Sequence, residues 1–176
     1  MISVNKLLPQ GRGLASALVR QAPFVELSWD LRCKSRFDAT DSQGRQLGVF
    51  LPRGGVVRGG DVLVAEDGSL VSVRAAAQTV MVVRQCEQHG SSFDLMRAAY
   101  HLGNRHVQLE LRADRLQLEP DHVLADLLRQ MNLTVSEEQA PFEPEAGAYS
   151  HGGAPLQTGA SANRHPHGHG HAGCKH

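Results

Sequence analysis

The chain has 176 residues, 41% of them hydrophobic, and its eighteen basic residues balance eighteen acidic ones. That is enough for a core, with no charge excess suited to nucleic acid or an anionic membrane. Three cysteines (Cys33, Cys86 and Cys174) give neither a disulfide framework nor a structural zinc pattern. No apolar run approaches the roughly 18 residues of a membrane span. Residues 1–30 also lack a basic start followed by an apolar run, so the expectation is a soluble, cytoplasmic protein.

In chain order, residues 1–75 read as a small all-β domain. Ile2 and Val4 open a short strand. Val25, Leu27, Trp29, Leu31 and Cys33 alternate with Glu26, Ser28, Asp30, Arg32 and Lys34, which predicts a half-buried strand with Cys33 as a buried thiol. Asp41-Ser42-Gln43-Gly44 is a turn before a strand from Arg45 to Leu51. Glycine-rich turns then punctuate short strands at 56–57, 62–64 and 70–73. Gly54-Gly55 and Gly59-Gly60 are turns rather than a phosphate loop, because no Gly-Lys-Ser/Thr follows.

Residues 76–145 change character, giving strand, helix, strand, strand, helix, strand. That order predicts a ferredoxin-like βαββαβ domain, so the whole chain is expected to be α+β. The first helix runs from Ser91 to Leu102, with Phe93, Met96, Ala99, Tyr100 and Leu102 as its apolar face and Gly103 as the left-handed residue ending it. Val107, Leu109 and Leu111 then alternate with Gln108, Glu110 and Arg112 as a strand, and His106 shares the outward parity. Asp121 caps the second helix, His122 falls in its first turn, and Val123, Leu124, Leu127, Leu128 and Met131 form its apolar face.

The composition shifts after Phe142 to Gly, Ala, Pro, Ser and His, and residues 146–176 read as a disordered tail unable to bury enough surface to offset its ordering entropy. The segment from His165 to His176 carries His165, His167, His169, His171 and His176 with Cys174; His151 lies nearer the folded part. Neutral imidazole suits nickel, copper and zinc, and the interspersed Gly and Pro let the chain fold around an ion. No His-Glu-x-x-His and no paired acid/base carboxylates stand out, which argues against a catalyst.

Arg53-Gly54 through Arg58-Gly59-Gly60-Asp61-Val62-Leu63 carry a resemblance, as do Tyr100-His101-Leu102-Gly103-Asn104-Arg105-His106, Asp121-His122-Val123-Leu124, and Pro141-Phe142-Glu143-Pro144-Glu145-Ala146-Gly147-Ala148-Tyr149. Together with the histidine-rich end, they make the chain resemble the UreE urease accessory protein family over nearly its whole length. The resemblance implies a non-catalytic nickel metallochaperone that loads the urease metallocentre. It also implies an N-terminal β domain that meets urease apoprotein and an accessory GTPase complex, and a homodimer formed through the second domain. The position matching the family's shared interfacial histidine is His106, and His122 matches a secondary metal histidine. Pro120 stands where some members have a further histidine, which leaves no paired peripheral site. Zinc or copper would compete for the same imidazoles. A different class of function is a scaffold for the urease activation complex in which the histidines only buffer metal.

Overall fold

Short valine- and leucine-rich runs separated by tight turns build one curled sheet from the first part of the chain; the computed structural model describes residues 1–146. Its strands are β1 (Ile2–Leu8), β2 (Phe24–Leu27), β3 (Arg36–Thr40), β4 (Gln46–Phe50), β5 (Val62–Ala65) and β6 (Leu70–Ala75), in the order β2-β6-β5-β1-β4-β3. Phe24 and Ser42 exchange hydrogen bonds of 2.7 and 3.1 Å, which ties the start of β2 to the turn after β3 at the opposite edge. Val4, Val25, Leu27, Leu47, Val49, Leu63, Val71 and Val73 fill the interior.

This part is β-rich but not all β. Two short helices interrupt it, α1 (Ser16–Gln21) and α2 (Trp29–Arg32). The expected strand from Val25 to Cys33 ends at Leu27, and residues 29–32 turn helically instead. The helical turn inverts the predicted burial: Arg32 is fully buried and Cys33 is exposed. Residues 56–57 form no strand, although Val57 is buried in the core.

Only Ala76 separates β6 from β7 (Ala77–Gln85). The second unit continues with α3 (Ser92–Asn104), β8 (Glu110–Leu111), β9 (Arg115–Leu118), α4 (His122–Gln130) and β10 (Leu133–Pro141). Its sheet runs β10-β7-β9-β8, with every neighbouring pair antiparallel. Leu95, Ala98 and Leu102 of α3 and Ala125 and Leu128 of α4 pack with Met81, Val83, Leu116, Leu118 and Leu133, so both helices cover one face. On the other face Val80 and Val82 meet Trp29 of the first unit and Phe142.

The core face of α3 keeps Leu102 and Ala99 of the predicted face but not Phe93, Met96 or Tyr100. Phe93, Met96 and Tyr100 repeat at the same 3/4 spacing as Leu95, Ala98 and Leu102, offset by two residues, or about 200° around a helix. The helix therefore carries two apolar stripes, and periodicity cannot say which meets the sheet. The leucine stripe does; Phe93, Met96 and Tyr100 are 61%, 63% and 67% exposed. Val123 of α4, also expected in the core, is exposed.

The segment after β10 belongs to the folded body. Phe142 is fully buried and meets the Trp29 ring edge-on at 5.9 Å between centroids. Glu143 accepts hydrogen bonds from Arg32, from Arg58 at 3.3 Å and from the Gly59 N–H at 2.8 Å. Arg32 also donates to the Leu27 and Phe142 carbonyls. Burial pulls its guanidinium below its usual value, and the Glu143 charge opposes that. The Arg32 and Arg58 guanidiniums lie 5.1 and 5.0 Å from the Trp29 ring centroid. This hub joins the two units.

Candidate metal centre

The site is built at the end of α3. Ser91 precedes the helix, and its N–H and hydroxyl both donate to Asp94 Oδ2, at 2.9 and 3.0 Å. At the other end the helix runs through Gly103, so that glycine is not the left-handed stop. His106 is, with φ at 57°. Its N–H donates to the Gly103 carbonyl at 2.9 Å, and the Val107 N–H reaches the Leu102 carbonyl at 3.2 Å, the paired bonds of a Schellman cap. Val107, half-buried, packs against the core cluster that holds Leu102, the apolar contact that accompanies such a cap. Glycine is the usual occupant of this position, because a Cβ is crowded there. The cap turns the chain so that His106 is exposed while Leu109, three residues on, is buried.

The expected strand from Val107 to Leu111 shrinks to Glu110–Leu111; the expected burial holds at Val107, Gln108 and Leu109 and is reversed at Glu110 and Leu111. Glu110 is 3% exposed and Leu111 is 47% exposed. Glu110 is held inside by two partners: Arg112 Nε donates to Oε1 at 2.6 Å, and the Glu143 N–H donates to Oε2 at 2.7 Å. Its paired, hydrogen-bonded state makes the burial of a carboxylate tolerable. His106 is thus exposed, as its parity suggested, but through a helix cap rather than a strand.

His106 opens onto a groove between α3 and the following loop, lined also by Ala99, Gly103, Val107, Leu111 and Glu145. His122 is the first residue of α4, where it was expected, and is exposed; Asp121 Oδ1 accepts from the Val123 and Leu124 N–H groups at 2.8 and 3.0 Å. His122 lines a separate hollow that includes Asp121, Glu137 and Arg129. The Asp121 and Glu137 carboxylates share that hollow with the Arg129 cation, which is itself paired with Asp126 at 2.9 Å. His89 and His101 are exposed, on a loop and on α3. His151, His165, His167, His169, His171, His176 and Cys174 lie outside the described residues.

Among the described residues, no three His, Cys, Asp or Glu side chains converge to hold an ion. A site at His106 therefore needs donors beyond those that converge among the described residues, from water, a partner, a second copy of the chain or residues beyond 146. Imidazole with a nearby carboxylate is a donor set that fits a borderline divalent cation such as nickel or zinc. Reading the sequence alone missed Glu145, Glu110 and the Arg32–Glu143 pair. The Pro-Phe-Glu-Pro-Glu run was visible and fell inside the expected 76–145 domain, but nothing in it marked Glu143 as the partner of Arg32 or Glu145 as a neighbour of His106.

The β-rich unit followed by the α/β unit matches, in order, the two domains of one class of accessory protein. Residues 4–76 match the N-terminal domain model of the UreE urease accessory protein, and residues 78–173 match its C-terminal domain model. The urease accessory protein UreE of Methylibium petroleiphilum is 74% identical over 154 residues, which is 88% of this chain and 71% of that protein. The protein of the same name from Paracidovorax citrulli is 71% identical over 153 residues, 87% of this chain and 73% of its own length. The one from Polaromonas naphthalenivorans is 59% identical across all of this chain and 88% of its own length. The chain belongs to the UreE urease accessory protein family.

Proposed function

We propose that this protein carries nickel as cargo and delivers it for assembly of the urease metallocentre. Two copies meet through their ferredoxin-like second units, each placing its His106 on a shared ion. Histidines of the tail, His151 nearest and the 165–176 group beyond, collect ions and relay them. The β-rich first unit meets urease apoprotein and the accessory GTPase complex. The observation that supports this best is the conjunction at the end of α3. An exposed histidine sits in a position built for glycine, and a stripe of Phe93, Met96 and Tyr100 that the described residues leave exposed lies on the same helix. Gly103, which lines the His106 groove, lies one turn beyond Tyr100. One imidazole is a weak site, but a two-fold axis beside it doubles the ligands.

The test is nickel titration by calorimetry, with mass by light scattering, on the full chain, on His106→Ala and on a chain ending at residue 149. The reading expects about one tight ion per dimer in the full chain and in the shortened one, lost in His106→Ala. If His106→Ala keeps the tight ion while shortening removes it, the folded units are a platform for a metal-collecting tail. The scaffold reading then replaces this one.

A further inference from the structure

Of the residues lining the His106 groove, Glu145 carries the one acidic side chain. Its place is fixed by the fold. The Glu145 N–H donates to the Leu109 carbonyl at 2.9 Å, between His106 and β8. Just before it, Pro144 is buried and its carbonyl accepts from Arg58 Nη1 at 2.6 Å. One residue earlier, the Glu143 N–H is held by the buried Glu110 carboxylate at 2.7 Å. Three successive residues are tied at the backbone, two of them to the strand segment that follows His106. The Glu145 side chain makes none of the hydrogen bonds or ion pairs found among the described residues, so its carboxylate is free to serve a ligand.

We propose that Glu145 is a further ligand of the ion that His106 binds; this rests on the reading of His106 as the nickel site. Two imidazoles leave a divalent cation with its full charge and with open coordination positions. A carboxylate oxygen suits such a cation, and an anionic ligand lowers the cost of holding it at a partly apolar interface. The symmetry that brings a second His106 to the axis brings a second Glu145. The resulting pair of nitrogens and pair of oxygens would leave the nickel site electrically neutral. Such a set also favours nickel or zinc over cuprous copper, which prefers sulfur donors.

The experiment uses the full-length protein, Glu145→Gln and His106→Ala, with nickel alone as the probe. It reads both the dissociation constant of the tight site and the ligand-field absorption of the bound nickel. Glu145→Gln is expected to weaken the tight site tenfold or more and to shift the absorption bands, with the dimer and circular dichroism unchanged. An unaltered affinity with an unaltered spectrum overturns the role of Glu145 and leaves His106 standing. Tight binding that survives His106→Ala overturns the reading beneath it.

Discussion

His106 occupies a backbone conformation that glycine adopts more easily, and this separates its stability role from its ligand role. An L-residue in the left-handed region costs roughly 1–2 kcal/mol. Glycine would recover this but lose about 0.5–1 kcal/mol through its freer unfolded chain. His106→Gly is therefore expected to stabilise the metal-free fold by about 0.5–1 kcal/mol while abolishing tight nickel binding. Urea unfolding of the metal-free protein checks the first part, and a lower midpoint would show that the cap is not strained. A stabilising substitution at a residue that function retains is what a strained site predicts. The sequence could not assign this position, because Gly103 offered a plausible stop three residues earlier. The helix runs through that glycine, and the later cap turns Val107 onto the core cluster that holds Leu102. The exposure of His106 was legible and the geometry behind it was not.

At the level of elements, the segment from Phe142 to Glu145 works as a strap. It docks by aromatic burial at Phe142, by charge at Glu143 and by backbone hydrogen bonds at Glu143 and Glu145. Removing a buried phenylalanine side chain usually costs about 3–5 kcal/mol, from lost transfer energy and the cavity left behind. Phe142→Ala is expected to fall in that range and to loosen the seam between the two units. Trp29 is the chain's one tryptophan, and it packs directly on Phe142, so its fluorescence reports on the seam. The expected result is a lower denaturation midpoint with Trp29 emission shifted to the red in the native baseline. An unchanged midpoint would mean that the strap is decoration. None of this was readable from local pattern. Two of the partners of Arg32, Phe142 and Glu143, lie 110 and 111 residues away, and nothing near Arg32 in sequence marks it as buried. The same contact explains why the alternation from Val25 to Cys33 misled. Trp29 and Arg32 turn together as one helical turn to meet Phe142 and Glu143, which breaks the period of two. By contrast, α3 and α4 were legible because their apolar residues repeat at helical spacing between clear caps at Ser91 and Asp121. Of β7 and β10 only the apolar cores at 80–84 and 133–135 showed, since residues such as Ser136 to Gln139 carry no apolar pattern.

For the whole molecule, the second stripe of α3 is the feature that the described residues leave uncovered. Phe93, Met96 and Tyr100 are large, apolar and mostly exposed, and they sit on a helix whose opposite side already packs on the sheet. The proposed function gives that stripe an occupant, the same stripe of a second copy, and places the axis where two His106 residues can share one ion. A charge at the centre of such a stripe would have to be buried against an apolar partner, at a cost of several kcal/mol. In the monomer the same charge would remain in water. Met96→Glu is therefore expected to leave the fold intact and to raise the dimer dissociation constant by at least a hundredfold. It should also weaken nickel binding, although Met96 supplies no donor to the ion. Light scattering across a dilution series, with and without nickel, measures the first effect, and the titration described above measures the second. The two effects should be linked: enough protein to restore the dimer, or enough nickel to pull it together, should restore the tight site. A Met96→Glu protein that dimerises and binds nickel like the parent would move the interface elsewhere. A monomer that still binds nickel tightly would show that one chain completes the site alone, through residues beyond 146.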